Sequence, residues 1–326
     1  MELVCPAGTP SALKAALEAG ADVVYVGFRD ETNARNFPGL NFNPEELKLA
    51  LAEAHSLGRQ IYVAINTYPQ AGNLSPWHRA VDIAADLGVD AVILADIGLL
   101  DYATRRYPHL RRHLSVQASA SNPETIDFFQ TTFGVQRVVL PRVLTVREIK
   151  ALIEKIEVDT EVFAFGGMCV MAEGRCSLSS YVTGKSPNIN GICSPPSHVD
   201  YEQKGRKLIS KLGEFTINSY SDGESAGYPT LCKGRFFGQG VEPSYLFEEP
   251  TSLNVMTLLP DLIESGVKAL KIEGRQRGKA YVTQVVSSYR RAIDAVLKGG
   301  PVPESDLGSI TEGARSTTGA YRKSWR

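Results

Sequence analysis

Four of the five cysteines lie in one polar segment of the 326-residue chain, where no apolar run is present to bury a thiol. They are Cys169, Cys176, Cys193 and Cys232, separated by six, sixteen and thirty-eight residues and flanked by Gly, Ser, Asn, Pro and Arg. Cys5 lies in the apolar run "ELVCPA", as is typical of a buried cysteine. The four clustered cysteines therefore indicate a metal centre, with free thiols and disulfides as the alternatives.

The spacing of the four cysteines leaves the metal open between zinc and iron. Structural zinc sites usually contain a C-x-x-C pair, which is absent here, and only His198 lies close enough in sequence to complete a mixed ligand set. Four thiolates on a wide, irregular loop also suit an iron-sulfur cluster. The spacing slightly favours the cluster.

A second group of candidate residues follows short apolar runs, where strand ends are expected. It comprises Asn66, Gln117, Arg142, Glu273 and Arg275, with Arg35 in the long loop "DETNARNFPGLNF". Two arginines at fixed positions can bind a carboxylate through paired hydrogen bonds, so Arg142 and Arg275 are candidates for an anion site. The alternative is that they pair with Glu273 or Asp96.

The positions of these candidate residues follow from eight apolar runs, which alternate along the chain with helical patterns. The runs predict strands at 2–7, 22–28, 60–66, 91–96, 113–118, 137–142, 161–166 and 269–274. Continuous apolar strands separated by amphipathic helices predict a parallel sheet that is covered on both faces. Eight such strands favour a closed α/β barrel, in which the residues after each strand meet at the active-site mouth. An open doubly wound sheet is the alternative, but no glycine-rich phosphate loop occurs.

The strand spacing also predicts the organisation of the chain. Residues 1–167 form the first seven strand-helix units, and 168–265 form a cysteine-bearing insertion between strands seven and eight. Residues 266–300 supply the last strand and helix, and 301–326 form a C-terminal tail.

Composition excludes several classes of protein. The formal net charge is -1 and the basic residues are scattered, so a duplex nucleic acid is not an expected partner. Neither a signal peptide nor an apolar run of membrane-spanning length occurs, which predicts a cytoplasmic protein rather than an integral membrane protein. "GESAG" at 223–227 matches a nucleophile elbow only formally, and no H-E-x-x-H motif is present.

Several segments resemble the collagenase-like U-type peptidase family over essentially the whole chain. They are "MELVCPAG", "TNARNFPGLNF", "VQASASN", "VVLPRVLT", "FAFGGMCVMAEGRCSLSSYVTGKSPN", "GYPTLCKGR", "EEPTSLN" and "KIEGRQR". The resemblance implies that the four clustered cysteines bind a 4Fe-4S cluster. It also implies a heterodimer with a UbiV-like paralogue.

The same resemblance implies a function in ubiquinone biosynthesis. A prenylated phenol precursor would be hydroxylated without molecular oxygen, and prephenate would be the oxygen donor. The chain ends at Arg326 without the extra C-terminal domain of larger family members, so activities that need that domain, including proteolysis and RNA hydroxylation, are not expected. Two rival hypotheses are a peptidase and a non-catalytic scaffold that a metal centre holds together.

Overall fold

The computed structural model describes residues 1–169, 171, 176–190, 192–238 and 240–322. Its strands are β1 (Glu2–Pro6), β2 (Val23–Gly27), β3 (Gln60–Ile65), β4 (Ala91–Leu94), β5 (Arg112–Leu114), β6 (Arg137–Val139), β7 (Asp159–Gly167), β8 (Val199–Lys204), β9 (Lys207–Leu212), β10 (Phe215–Tyr220), β11 (Arg235–Gly238), β12 (Val241–Tyr245), β13 (Ser252–Asn254), β14 (Ala269–Ile272) and β15 (Ser316–Thr317). Its α-helices are α1 (Pro10–Glu18), α2 (Pro44–Ser56), α3 (Ser75–Asp86), α4 (Ile97–Arg106), α5 (Pro123–Phe133), α6 (Val146–Ile153), α7 (Ser177–Thr183), α8 (Pro187–Asn190), α9 (Leu259–Glu264) and α10 (Lys279–Leu297).

Eight strands close into a parallel barrel. Strands β1 to β7 pair in sequence order, β7 also pairs with β14, and β14 pairs with β1. Helices follow most of these strands and cover the outside of the barrel. The predicted α/β barrel is confirmed, and the long insertion falls between its seventh and eighth strands as predicted.

The barrel strands bury both of their faces, which explains why they read as continuous apolar runs. Along β2, Val24 and Val26 join the core under the helices, whereas Val23 and Tyr25 join a second cluster with residues of the other strands. Because side chains alternate along a strand, the second cluster fills the interior of the barrel.

Local signals fix where several helices begin. Asn43 and Glu46 form a capping box at the start of α2, and Thr145 and Glu148 form another at the start of α6. The helix α5 ends at Gly134, whose φ of 62° is the left-handed conformation that glycine tolerates. The two capping boxes therefore fix where the loops that follow β2 and β6 end.

Most barrel strands end earlier than the sequence predicts, and β5 and β6 differ most. The run predicted as a strand at 113–118 leaves the strand after Leu114, because the Ser115 side chain accepts a hydrogen bond from the Gln117 backbone and starts a 3-10 turn. The run predicted at 137–142 ends as a strand at Val139. Gln117 and Arg142 therefore lie in connecting loops rather than in strands.

The insertion has a small sheet of its own. Strands β8, β9 and β10 form an antiparallel sheet, and Leu212, Ile217 and Leu231 pack in a separate core beside it. The end of the insertion returns to the barrel, where β13 pairs antiparallel with the end of β7. In the C-terminal tail, Tyr321 is buried and donates a hydrogen bond to the Phe163 carbonyl at 2.8 Å.

Within the described ranges, no helix has both the length and the apolar character needed to cross a membrane.

Candidate functional site at the mouth of the barrel

Glu273 joins two of the predicted arginines at the carboxyl end of the barrel. Its Oε2 lies 2.5 Å from Nη2 of Arg142, and its Oε1 lies 4.0 Å from Nη2 of Arg35. The Arg142 guanidinium also stacks 3.5 Å from the centroid of the Phe163 ring and is 6% exposed. The predicted pairing of Arg142 with Glu273 is thus present, while Asp96 instead caps α4 through the Leu99 backbone.

Arg275 occupies a different environment from Arg142, although both are buried. Its Nη1 donates a hydrogen bond to Oδ1 of Asn33 at 3.1 Å, and its guanidinium lies 5.6 Å from the centroid of the Tyr25 ring. It forms no ion pair with a carboxylate of the described residues. Burial lowers the pKa of Arg275 to about 10, although the nearby Tyr25 and Glu273 oppose part of this shift.

Gly27 leaves the space that the Arg275 side chain occupies. A Cβ atom at Gly27 would lie 2.7 Å from Nη1 of Arg275 and 2.6 Å from Cγ of Asn33. Real Cβ atoms do not approach other heavy atoms so closely, and both neighbours are themselves buried. The absence of a side chain at the end of β2 is therefore a requirement of this arrangement.

Asn66 and Gln117 complete the group predicted from the sequence. Oδ1 of Asn66 accepts a hydrogen bond from the Ala34 backbone at 3.0 Å, which ties the end of β3 to the loop that carries Arg35. Gln117 is buried, and its carbonyl accepts a hydrogen bond from the Tyr68 hydroxyl at 2.7 Å. Both residues hold the loops around the mouth, and their contact with a substrate stays a prediction.

A buried ion network lies beside the mouth in the barrel interior. Nζ of Lys271 is 2.5 Å from Oε1 of Glu161, and Nη1 of Arg137 is 3.5 Å from Oε2 of the same carboxylate. Nζ of Lys271 also lies 3.9 Å from the centroid of the Tyr25 ring, on which Arg275 packs. Desolvation lowers the pKa of Lys271 even though Glu161 favours its charged form. The ion network of the barrel interior thus reaches the mouth through the Tyr25 ring, which contacts both Lys271 and Arg275.

The four predicted cysteines all lie within the described residues, whereas 170, 172–175 and 191 between them lie outside. Cys176 accepts a hydrogen bond from the Ser179 backbone at 3.4 Å, at the start of α7. Burial, with smaller contributions from the charges of Cys193, Cys169 and Cys176 and against that of Lys233, raises the pKa of the Cys232 thiol to about 12. All four thiols are therefore close enough to interact electrostatically.

The donor chemistry of these thiols suits a soft metal or an iron-sulfur cluster, since thiolates are its usual ligands. In the residues that the structure describes, no group of three or more His, Cys, Asp or Glu side chains lies at metal-binding spacing. The described residues, which include all four cysteines, therefore show no formed ligand set, and ligation stays a prediction. Cys5 is fully buried in β1, as predicted.

Glu312 in the C-terminal tail connects the cysteine segment to the mouth. Its carboxylate pairs with Nζ of Lys233, which adjoins Cys232, and lies 3.8 Å from Nη2 of Arg277. Its backbone donates a hydrogen bond to Oγ of Ser252 at 2.9 Å. Arg277 belongs to the same loop as Glu273 and Arg275. Glu312 therefore contacts both the insertion, through Lys233, and the loop that carries the anion-binding candidates.

The formal nucleophile motif has no supporting structure. Ser225 lies in an irregular exposed segment, and a 3-10 turn at Leu231–Lys233 follows in place of an α-helix. A nucleophile elbow requires a sharp strand-to-helix turn, so the segment does not form one.

Sequence reasoning missed three residues of the mouth and its surroundings. Asn33 lies in the loop that was singled out only for Arg35, and Glu312 lies in a tail without a recognisable motif. Lys271 carried a usable signal, because a lysine within the apolar run "ALKI" must be either exposed or paired.

The structure defines a class of protein, namely a closed parallel barrel with buried arginines at its mouth and a cysteine-bearing insertion after its seventh strand. The chain belongs to peptidase family U32, whose family model matches residues 8–319. The family indicated by the motifs is thereby confirmed.

Two relatives illustrate this membership. The chain is 32% identical to tRNA hydroxylation protein P of Escherichia coli K12, over 95% of this chain and 71% of that protein. It is 33% identical to an uncharacterized protease of Methanocaldococcus jannaschii, over 92% of this chain and 66% of that protein. The U32 peptidase Mk0906 superimposes with a TM-score of 0.44 at 17% identity, covering 52% of this chain and 70% of that one.

Proposed function

We propose that the chain is the UbiU-type subunit of an oxygen-independent hydroxylase in ubiquinone biosynthesis. It would act on a prenylated phenol precursor together with a UbiV-like paralogue as a heterodimer. Support comes from membership of a family in which an Escherichia coli relative is named for tRNA hydroxylation, and from the eight motifs quoted above.

The observation that carries this proposal is the arginine-rich mouth of the barrel. When molecular oxygen is absent, the new hydroxyl group must come from another donor, and prephenate is a carboxylate that carries one. The ring C–H bond and the donor C–OH bond break, a ring C–OH bond and a donor C–H bond form, and the donor is reduced by the two electrons that the ring loses. Arg35 and Arg142 pair with the carboxylate of Glu273 in the described part of the mouth, and the buried Arg275 lies in the same loop as Glu273, as expected for a site that accepts an anion. The carboxyl ends of barrel strands are also where barrel enzymes bind substrates.

In this proposal the chain's own residues bind and orient the donor. Arg142 and Arg275 would contact the anion, and Glu273 would fix the angle of the Arg142 guanidinium through their 2.5 Å contact. Asn66 and Gln117 would position the donor by hydrogen bonds while holding the surrounding loops.

The four clustered cysteines would ligate a 4Fe-4S cluster. The charges of Cys193, Cys169 and Cys176 act on the Cys232 thiol, which supports a shared site. The cluster would supply electron-transfer or Lewis-acid chemistry when it is bound.

Gene deletion combined with arginine variants tests the proposal. Cells that carry Arg142→Ala or Arg275→Ala should lose ubiquinone when grown without oxygen and keep it in air, where oxygen-dependent hydroxylases act. Loss of a buried charged hydrogen bond costs about 2 to 5 kcal/mol, which is enough to suppress activity. Arg206→Ala is the matched control, since that side chain is exposed and pairs with Asp222.

Unchanged anaerobic ubiquinone after deletion of the whole gene would refute the proposal. Size measurement of the co-expressed proteins tests the partner, because separate monomers at micromolar concentration would refute the heterodimer. Proteolysis by cluster-free protein would favour the peptidase alternative. Full activity of the cysteine variants would instead favour the scaffold alternative.

A further inference from the structure

The two buried arginines of the mouth differ in what they contact. Arg142 already has a carboxylate partner at 2.5 Å, and its flat face is covered by Phe163. Arg275 is 6% exposed, yet its one side-chain hydrogen bond goes to the neutral amide of Asn33. No carboxylate in the described ranges pairs with it.

A buried guanidinium without a hydrogen-bonded anionic partner is unfavourable, because burial removes its hydration and, for Arg275, the neutral Asn33 amide and the Tyr25 ring replace only part of it. Its remaining N–H groups form a planar fork that matches a carboxylate. An incoming carboxylate would therefore gain more from Arg275 than from Arg142, whose own partner it would have to displace.

We propose that, of the two arginines assigned above to the donor, Arg275 alone binds its carboxylate directly, that Arg142 acts through Glu273, and that Asn33 is the positioning residue for Arg275. This inference rests on the proposed function, because it assumes that the mouth accepts a carboxylate donor. It assigns different functions to two arginines that the sequence treats alike.

The surroundings of Asn33 explain how it can position a guanidinium. Asn33 is fully buried, and its Oδ1 accepts hydrogen bonds from both Nη1 of Arg275 at 3.1 Å and the Arg35 backbone at 2.9 Å. Its Nδ2 donates to the Phe28 carbonyl, so the orientation of the amide is fixed. Gly27 leaves room for both side chains. Asn33 is therefore a rigid support rather than a flexible partner.

Binding measurements on the purified anaerobic heterodimer test the inference. Prephenate and phenylpyruvate are titrated as carboxylate probes, with the methyl ester of phenylpyruvate as an uncharged probe. Arg275→Lys should weaken binding of the acids at least tenfold, because lysine keeps the charge but loses the fork. Arg142→Lys, which can keep the ion pair with Glu273, should change binding less than threefold.

Asn33→Ala separates positioning from general damage to the fold. We expect it to weaken binding of the acids about tenfold and to leave binding of the ester unchanged. A merely structural function for Asn33 would lower the affinity for acid and ester alike, and that result would overturn its assignment. Equal losses in Arg275→Lys and Arg142→Lys, or wild-type binding by Arg275→Lys, would overturn the assignment of Arg275.

The two probes also separate this inference from the proposed function. Binding of phenylpyruvate but not prephenate, with loss in Arg275→Lys, would support Arg275 as a carboxylate-binding residue and refute prephenate as the donor. Failure of the wild-type heterodimer to bind either acid would overturn the inference itself. In that case, anaerobic ubiquinone in the deletion strain would still decide the proposed function.

Discussion

Replacing Lys271 with methionine should strongly destabilise the protein. The change removes the ammonium that lies 2.5 Å from Oε1 of Glu161. Because the Glu161 side chain is fully buried, water cannot replace this partner. Arg137 remains at 3.5 Å from Oε2 and compensates part of the charge. Breaking a buried ion pair from one side costs about 3 to 5 kcal/mol, and the remaining arginine indicates a loss near the lower limit, about 3 kcal/mol.

Urea unfolding followed by circular dichroism measures this loss, and a second variant tests its cause. Lys271→Met combined with Glu161→Gln removes both charges, so the double variant should be more stable than Lys271→Met by about 1 kcal/mol or more. Two results would refute this reasoning: a loss of unfolding free energy below about 1 kcal/mol in Lys271→Met, or a double variant that is less stable than Lys271→Met. Either would show that the ion pair between Lys271 and Glu161 does not account for the loss of stability.

Three further predictions concern pH, iron and the support of the insertion. Burial, followed by the charges of Arg137, Arg111 and Lys271, holds the pKa of His113 well below its usual value of 6.5, so below that pH only the unfolded chain gains this proton. Stability should therefore fall by up to about 1.4 kcal/mol per pH unit below 6.5, and the same dependence in His113→Phe would contradict this cause. Cys232→Ala should lose most of the bound iron measured after anaerobic purification while Cys5→Ala keeps it, and full iron in Cys232→Ala would remove that residue from the site. Glu312→Ala should speed tryptic cleavage within 199–245, because the links to Lys233 and Arg277 are lost. Wild-type cleavage rates, or equal acceleration by Glu249→Ala at the exposed pair with Arg315, would refute a specific function for Glu312.

The barrel could be predicted because its signals are local and repeated. Each strand is an apolar run, and several helices begin at a capping residue such as Asn43 or Thr145. Strand ends were less predictable, since Ser115 starts a turn within an apolar run and no periodicity shows such a contact. The insertion was located by its length alone, and its small sheet lacks the barrel's regular alternation with helices.

The candidate site could be predicted in its members but not in its pairings. Arg142 and Arg275 both follow apolar runs, so the sequence offers no way to distinguish them. Only the fold shows that Glu273 reaches Arg142 and that Asn33, which is 242 positions away in sequence, reaches Arg275. Such contacts depend on loop geometry across the barrel mouth, which sequence periodicity does not encode.

Isotope labelling tests the central claim of oxygen-independent hydroxylation most directly. The purified heterodimer is incubated without oxygen with a prenylated phenol precursor and with prephenate that carries oxygen-18 in its hydroxyl group. The account predicts a hydroxylated product that contains the label when it is analysed by mass spectrometry. Product formed without the label would contradict prephenate as the donor, and absence of product from a cluster-loaded heterodimer would contradict the hydroxylase function.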